Sequence, residues 1–124
     1  MLAGMSQFSE SSCEPQAPQP AHASYVFLLD DEGGVHALPH AVYVALARHG
    51  ACSPDFAGQR LRLADWYVRL HDGAPAAIVN ETYALARFDA QGRLALEAAP
   101  GDAGWPTFEE RARMEAMLFA SAQG

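Results

Sequence analysis

Arg62, Tyr67, Arg69 and His71, with Ile78, Asn80 and Thr82 a short way on, are the residues whose types and spacing suit the binding of an anion. A guanidinium pairs with a carboxylate or phosphate through two parallel hydrogen bonds, and a phenol adds a neutral donor. An imidazole adds a charge that titrates near a pH of about 6.5. The first four lie in the stretch GQRLRLADWYVRLHDG, Gly58 to Gly73, whose apolar residues change parity along the chain. Leu61 and Leu63 fall on odd positions, whereas Trp66, Val68 and Leu70 fall on even ones. Successive side chains of a strand point to opposite faces, so something must happen at Ala64 and Asp65.

A β-bulge at Ala64–Asp65 is the device that would return both halves of this strand to one apolar face. With Asp72 to Pro75 as a four-residue hairpin loop, Leu70 faces Ala77, Val68 faces Val79 and Trp66 faces Glu81. Beyond the bulge Leu63 meets Tyr83 and Leu61 meets Leu85. The same bulge gathers Arg60, Arg62, Tyr67, Arg69 and His71 on the opposite face, beside Ile78, Asn80 and Thr82 of the neighbouring strand, and re-aims Asp65 toward them. The plainer use of that face is a solvated surface whose arginines offset acidic neighbours.

Other chemistry finds less support. A zinc site asks for four ligands, or three and an open position. His36 and His40 straddle a boundary at Pro39, and His49 with Cys52 makes one pair lacking a second, so no metal is predicted. Cys52 reads as a small buried hydrophobe. No Gly-x-Ser-x-Gly elbow and no glycine-rich dinucleotide fingerprint occurs. Asp30–Asp31 and Glu109–Glu110 are explained by a turn and by a helix's first turn, and Trp66 and Trp105 by anchoring. All eight basic residues are arginines. The absence of lysine excludes a Walker-type phosphate loop, a Schiff base and a Ser-Lys dyad. No cofactor is expected, and no catalytic residue stands out.

The elements that must position these residues follow from local signals. Ser24 to Asp30 and Val35 to Leu38 flank an Asp-Glu-Gly-Gly turn and read as a hairpin, the first strand apolar on both faces. PHAVYVALARHG has proline near a first helical turn, Arg48 and His49 in the last and Gly50 past the end. SPDFAG suits one helical turn with Ser53 as its cap. FDAQGRLAL closes the sheet through a short Asp-x-x-Gly turn into Arg93 to Glu97, and EAAPGDAGWP reads as a loop. Thr107 and Glu110 have capping-box spacing at the start of a last helix. On its wheel Phe108, Ala112, Ala116 and Phe119 form the apolar stripe, with Leu118 at its edge. The order ββαβββα predicts an α+β domain: a twisted antiparallel sheet with both helices packed on one face.

Bulk properties bound the function. A chain of 124 residues fits one domain, here residues 24–124 behind a Ser-, Gln- and Pro-rich tail, residues 1–23, predicted to be disordered. A net charge of −7 argues against nucleic acid and anionic membrane surfaces as partners. Two cysteines are too few for a disulfide framework, and neither a signal-peptide core nor a membrane-spanning run is found, which predicts a cytoplasmic protein. The composition, rich in Ala, Gly and Arg, points to a GC-rich bacterial genome. By elimination, the expected function is that of a non-catalytic module that binds a protein partner or a second copy of itself, or regulates one. The alternative is a domain that binds or transforms an anionic small molecule on the Tyr67, Arg69 and His71 face.

Overall fold

The structure, a computed structural model, describes residues 21–98 and 104–123, with side chains of the last helix as far as Phe119. Its elements run β1 (His22–Leu29), β2 (Val35–Leu38), α1 (His40–His49), β3 (Arg60–His71), β4 (Ala74–Phe88), β5 (Leu94–Ala98) and α2 (Phe108–Gln123). A single 3-10 turn at Pro54–Phe56 separates α1 from β3. All neighbouring strands pair antiparallel, in the spatial order β2-β1-β3-β4-β5. The α+β class and the chain order are as the sequence predicts. Most of the tail expected to be disordered lies outside the described residues. Its last two residues do not belong to it: β1 begins at His22, which pairs with Arg69, and Ala23 pairs with Val68.

Local chemistry makes these elements. At the β1–β2 turn Asp30 Oδ1 accepts from the backbone N–H of Glu32 at 2.9 Å and of Gly34 at 2.7 Å. A Cβ on Gly34 would press into the Asp30 carboxylate, so any larger residue here would displace the side chain that holds the turn. Helix α1 starts behind Pro39 and ends at Gly50, whose left-handed backbone lets its N–H reach the Ala45 carbonyl. Ser53 makes no side-chain cap to the 3-10 turn. Its backbone N–H instead donates to Gly92 O, and Cys52 bridges to Arg93, which ties the α1–β3 connection to the β4–β5 turn.

The parity change in β3 has a different cause from the expected bulge. Pairing with β4 runs unbroken from Arg60 to Tyr67, through Ala64 opposite Tyr83 and Asp65 opposite Thr82. Leu61 and Leu63 lie on one face with Val26, Leu28, Leu38, Leu46, Ala86 and Phe88. Ala64, Trp66 and Val68 lie on the other with Phe27, Leu29, Met114 and Leu118. Both sheet faces are buried, but at different places, and β3 passes from one core to the other. The helices accordingly divide: α1 contributes Leu46 to the first core, and α2 contributes Met114 and Leu118 to the second. They do not share a face as the sequence predicted, because two short helices can each cover only part of a five-stranded sheet.

The slips in register belong to β4. Tyr67 pairs with Asn80 but Val68 with Ile78, and Arg69 pairs with Ala77 but Leu70 with Pro75, leaving Val79 and Ala76 as extra residues. The hairpin closes through two residues, Asp72 and Gly73, with φ of 52° and 80°. Asp-Gly is the pair such a turn favours, and it replaces the expected four-residue loop. Where β4 has no further strand beside it among the described residues, Pro75 and the two bulges break its edge against stray pairing.

Helix α2 begins with the expected capping box: Thr107 N–H donates to Glu110 Oε1 at 2.9 Å, and Glu110 N–H to Thr107 Oγ1 at 3.1 Å. Its orientation is not the one its apolar stripe predicts. Glu110, Met114 and Leu118 face the sheet, whereas Phe108, Ala112 and Ala116 are exposed. The cause is Arg62, whose guanidinium holds the carboxylate of Glu110 in a two-pronged pair at 2.9 and 2.5 Å and so turns that side of the helix inward.

Candidate functional site

Helix α1 touches both β1 and β5, strands separated by β3 and β4, so the sheet curls around it and this face is concave. Beyond the core under α1 the same face continues as polar rows across three strands. Val26, Asp65 and Thr82 form one row; Ser24, Tyr67 and Asn80 the next; His22, Arg69 and Ala77 the third. The alternation His22, Ser24, Val26 places one residue of each row on β1, while Asp65, Tyr67 and Arg69 place one on β3. No helix of the described residues covers the last two rows, and Tyr67 remains 45% exposed.

The outer rows are organised by ring stacking. The His22 and Tyr67 rings lie 4.8 Å apart at an angle of 9°. Arg69, unlike Arg60, Arg62, Arg87, Arg93 and Arg111, meets no carboxylate among the described residues. His71 stands further along β3, exposed, with Asp72 at 3.5 Å.

The inner row is different. Burial between sheet and helix raises the Asp65 carboxyl above its ordinary range, and nearby His40 offsets part of that rise. Burial also raises the Tyr43 phenol, and the Asp65 charge adds to the effect. The Asp65 backbone carbonyl accepts from Thr82 Oγ1 at 3.2 Å. Its carboxylate forms no hydrogen bond among the described residues. A cavity of about 270 Å³ opens where β2 ends and α1 begins, lined by Ser24, Val26, Leu38, Pro39 and His40 among others, and Asp65 is not part of its wall.

Of the residues singled out from sequence, Tyr67, Arg69 and Asn80 come together here, and His71 shares their face at the hairpin tip. Arg62 and Ile78 do not. Arg62 faces α2, where it also donates to the carbonyls of Asp30 and Trp105 at 3.3 Å. Ile78 packs against the core that contains Trp66. Arg62 was expected beside Tyr67 only because a bulge was expected in β3, without which even and odd positions of that strand stay on separate faces; Ile78 was expected there because β4 was read as regular, and the extra residue Val79 turns it to the other face. His22, Ser24 and His40 are additions. The period-two alternation of HASYV was the signal for the first two, hidden by the proline-rich segment before it. Cys52, expected to be buried, is exposed.

The other face shows what a satisfied set of charges looks like. Arg111 pairs with Glu81 at 2.5 Å and Glu115 at 3.0 Å and lies 5.1 Å above the Trp66 ring. Trp66 Nε1 donates to the Tyr83 hydroxyl, which in turn donates to Glu81. These groups fasten α2 to the sheet. No helix of the described residues is long and apolar enough to cross a membrane, and those residues contain no cluster of three or more side chains suited to a metal. The chain is thus an α+β domain with a partly open, polar, concave sheet face. Comparison with protein families, curated proteins and solved structures finds no match.

Proposed function

We propose that the protein is a non-catalytic binding module whose concave sheet face receives an acidic segment of a protein partner, a carboxylate of which pairs with Arg69. The observation that carries this reading is Arg69, without a carboxylate among the described residues, beside the stacked His22 and Tyr67 on a part of the sheet that no helix of those residues covers. Arg62, which fastens α2 to the sheet, meets its carboxylate within the chain. The planar fork of Arg69 meets no carboxylate among the described residues, Tyr67 offers a flat apolar surface with a polar tip, and Asn80 can donate and accept beside it.

A tetraglutamate peptide is a direct probe. Its titration into isotope-labelled protein should shift the backbone signals of Ser24, Tyr67, Arg69 and Asn80. Arg69→Ala should weaken binding by about 1.5–3 kcal/mol, the range for a hydrogen bond to a charged group. Arg69→Lys should restore only part of the loss, because the ammonium lacks the fork. Shifts that persist undiminished in Arg69→Ala would refute the assignment.

A further inference from the structure

Helix α2 buries one side and presents another that is apolar. Phe108 is 88% exposed and Trp105, just before the helix, 57% exposed, and Ala112 and Ala116 are also exposed. Phe108, Ala112 and Ala116 recur every four residues and so lie in one row, with Phe119, half-buried, at its edge. A large ring at one end and two methyl groups further along form a knob and a hollow on the same surface. Charges flank the row on both sides, Glu109 and Arg113 on one, Arg111 and Glu115 on the other, each side carrying one acid and one base four residues apart.

We propose that this face joins a second copy of the chain, with the two α2 helices antiparallel about a two-fold axis near Ala112. A two-fold interface must be complementary to itself, and this row is. Antiparallel alignment about Ala112 sets Phe108 of each copy over Ala116 of the other. Like flanks then meet, so Glu109 faces Arg113 of the second copy and Arg113 faces its Glu109. The other flank adds no new pair, because Arg111 and Glu115 already pair with each other and Arg111 with Glu81. The small side chains at the centre allow close approach. One helix face is a small interface, so association is expected at concentrations of about 1–100 µM. The surface is separate from the concave sheet face and does not depend on it.

Sedimentation of the full chain over that concentration range tests the assignment. A monomer–dimer equilibrium is expected. Ala112→Glu sets two carboxylates against each other at the axis and should raise the dissociation constant about tenfold or more. Glu109→Arg and Arg113→Glu should each weaken self-association, because each creates two like-charge contacts per dimer. Mixing those two variants should restore it, since every Arg of one then meets a Glu of the other. Arg113 also reaches the Gly33 carbonyl, so circular dichroism must show that Arg113→Glu is folded; Ala112→Glu leaves that contact intact. A full chain that stays monomeric throughout the range overturns the proposal, whether residues 1–20 cover the face or nothing does. A dimer that Ala112→Glu leaves unchanged, or a mixture no tighter than its two components, overturns it as well.

Discussion

Arg62 and Arg69 stand seven residues apart on one strand, on opposite faces, and their surroundings differ in kind. Arg62 is surrounded by groups of its own chain: the Glu110 carboxylate and the carbonyls of Asp30 and Trp105. Arg69 has a stacked pair of rings beside it and no carboxylate among the described residues. The carboxylates of the two faces differ in the same sense. Glu81 is held below its ordinary range, chiefly by the Arg111 guanidinium. Burial works against Glu110, but Arg62 and the Thr107 N–H bring it below its ordinary range too. Asp65, on the concave face, is raised by burial. The charges that fasten α2 meet partners within the chain, whereas the Asp65 carboxyl is raised by burial that His40 offsets only in part.

The largest expected effect breaks this contrast from the structural side. Glu110 is only 3% exposed, so Glu110→Ala leaves Arg62 without its carboxylate in a half-buried position. A loss of about 3–5 kcal/mol is expected in urea denaturation, a large part of a typical domain's stability. Arg69→Ala should change stability by no more than about 0.5 kcal/mol. Similar losses at the two positions would erase the distinction between the faces.

Next come the opposite dependences on pH. A carboxyl lowered by folding stabilises the fold above its unfolded pKa, and that gain is lost as pH falls through the lowered value. Glu81→Gln should therefore destabilise the protein at pH 7, with the difference from the parent shrinking in acid. A carboxyl raised by folding acts the other way: the fold is penalised as pH rises through and above the ordinary value of about 3.9 toward the raised one. Asp65→Asn should stabilise the protein at pH 7 and have little effect near pH 3, where Asp65 is protonated in both states. Melting curves at the two pH values read both signs. A loss of stability in Asp65→Asn at pH 7 would show that the carboxylate has a partner in the fold after all.

A smaller effect sharpens the comparison. Tyr67→Ala removes the ring that stacks on His22 at an exposed position, so stability should fall by less than about 1 kcal/mol. Binding of the tetraglutamate peptide should weaken in the same variant. A loss confined to stability would make the stacked pair a strut and remove Tyr67 from the site.

What was legible in the sequence was what neighbouring residues decide among themselves. The Asp30 turn, the proline and glycine that bracket α1, the Asp89 turn and the Thr107–Glu110 capping box all follow from contacts within a few residues. The parity change at Ala64–Asp65 was equally visible, but its meaning depends on what covers each face, which β3 alone does not encode. A bulge and a change of core leave the same trace in one strand. The tract of the site followed that ambiguity: Tyr67, Arg69 and Asn80 were placed together correctly, while Arg62 was carried to the wrong face with the supposed bulge and Ile78 by the unforeseen bulge at Val79 of β4. The turn of α2 was hidden for a similar reason. Its most apolar stripe faces outward because a glutamate, polar on any hydropathy scale, is drawn inward by an arginine distant in sequence.

The claim on which the rest depends is that β3 serves two cores on opposite faces. Nuclear Overhauser contacts from its side chains test this directly. Leu63 should show contacts to Leu28 and to the core that contains Leu46, and Trp66 to Phe27 and to the core that contains Met114 and Leu118, with neither set crossing over, while backbone contacts link Leu63 to Ala84 and Trp66 to Glu81 in one unbroken register. Contacts from both Leu63 and Trp66 to a single helix, with pairing interrupted at Ala64 and Asp65, would contradict it.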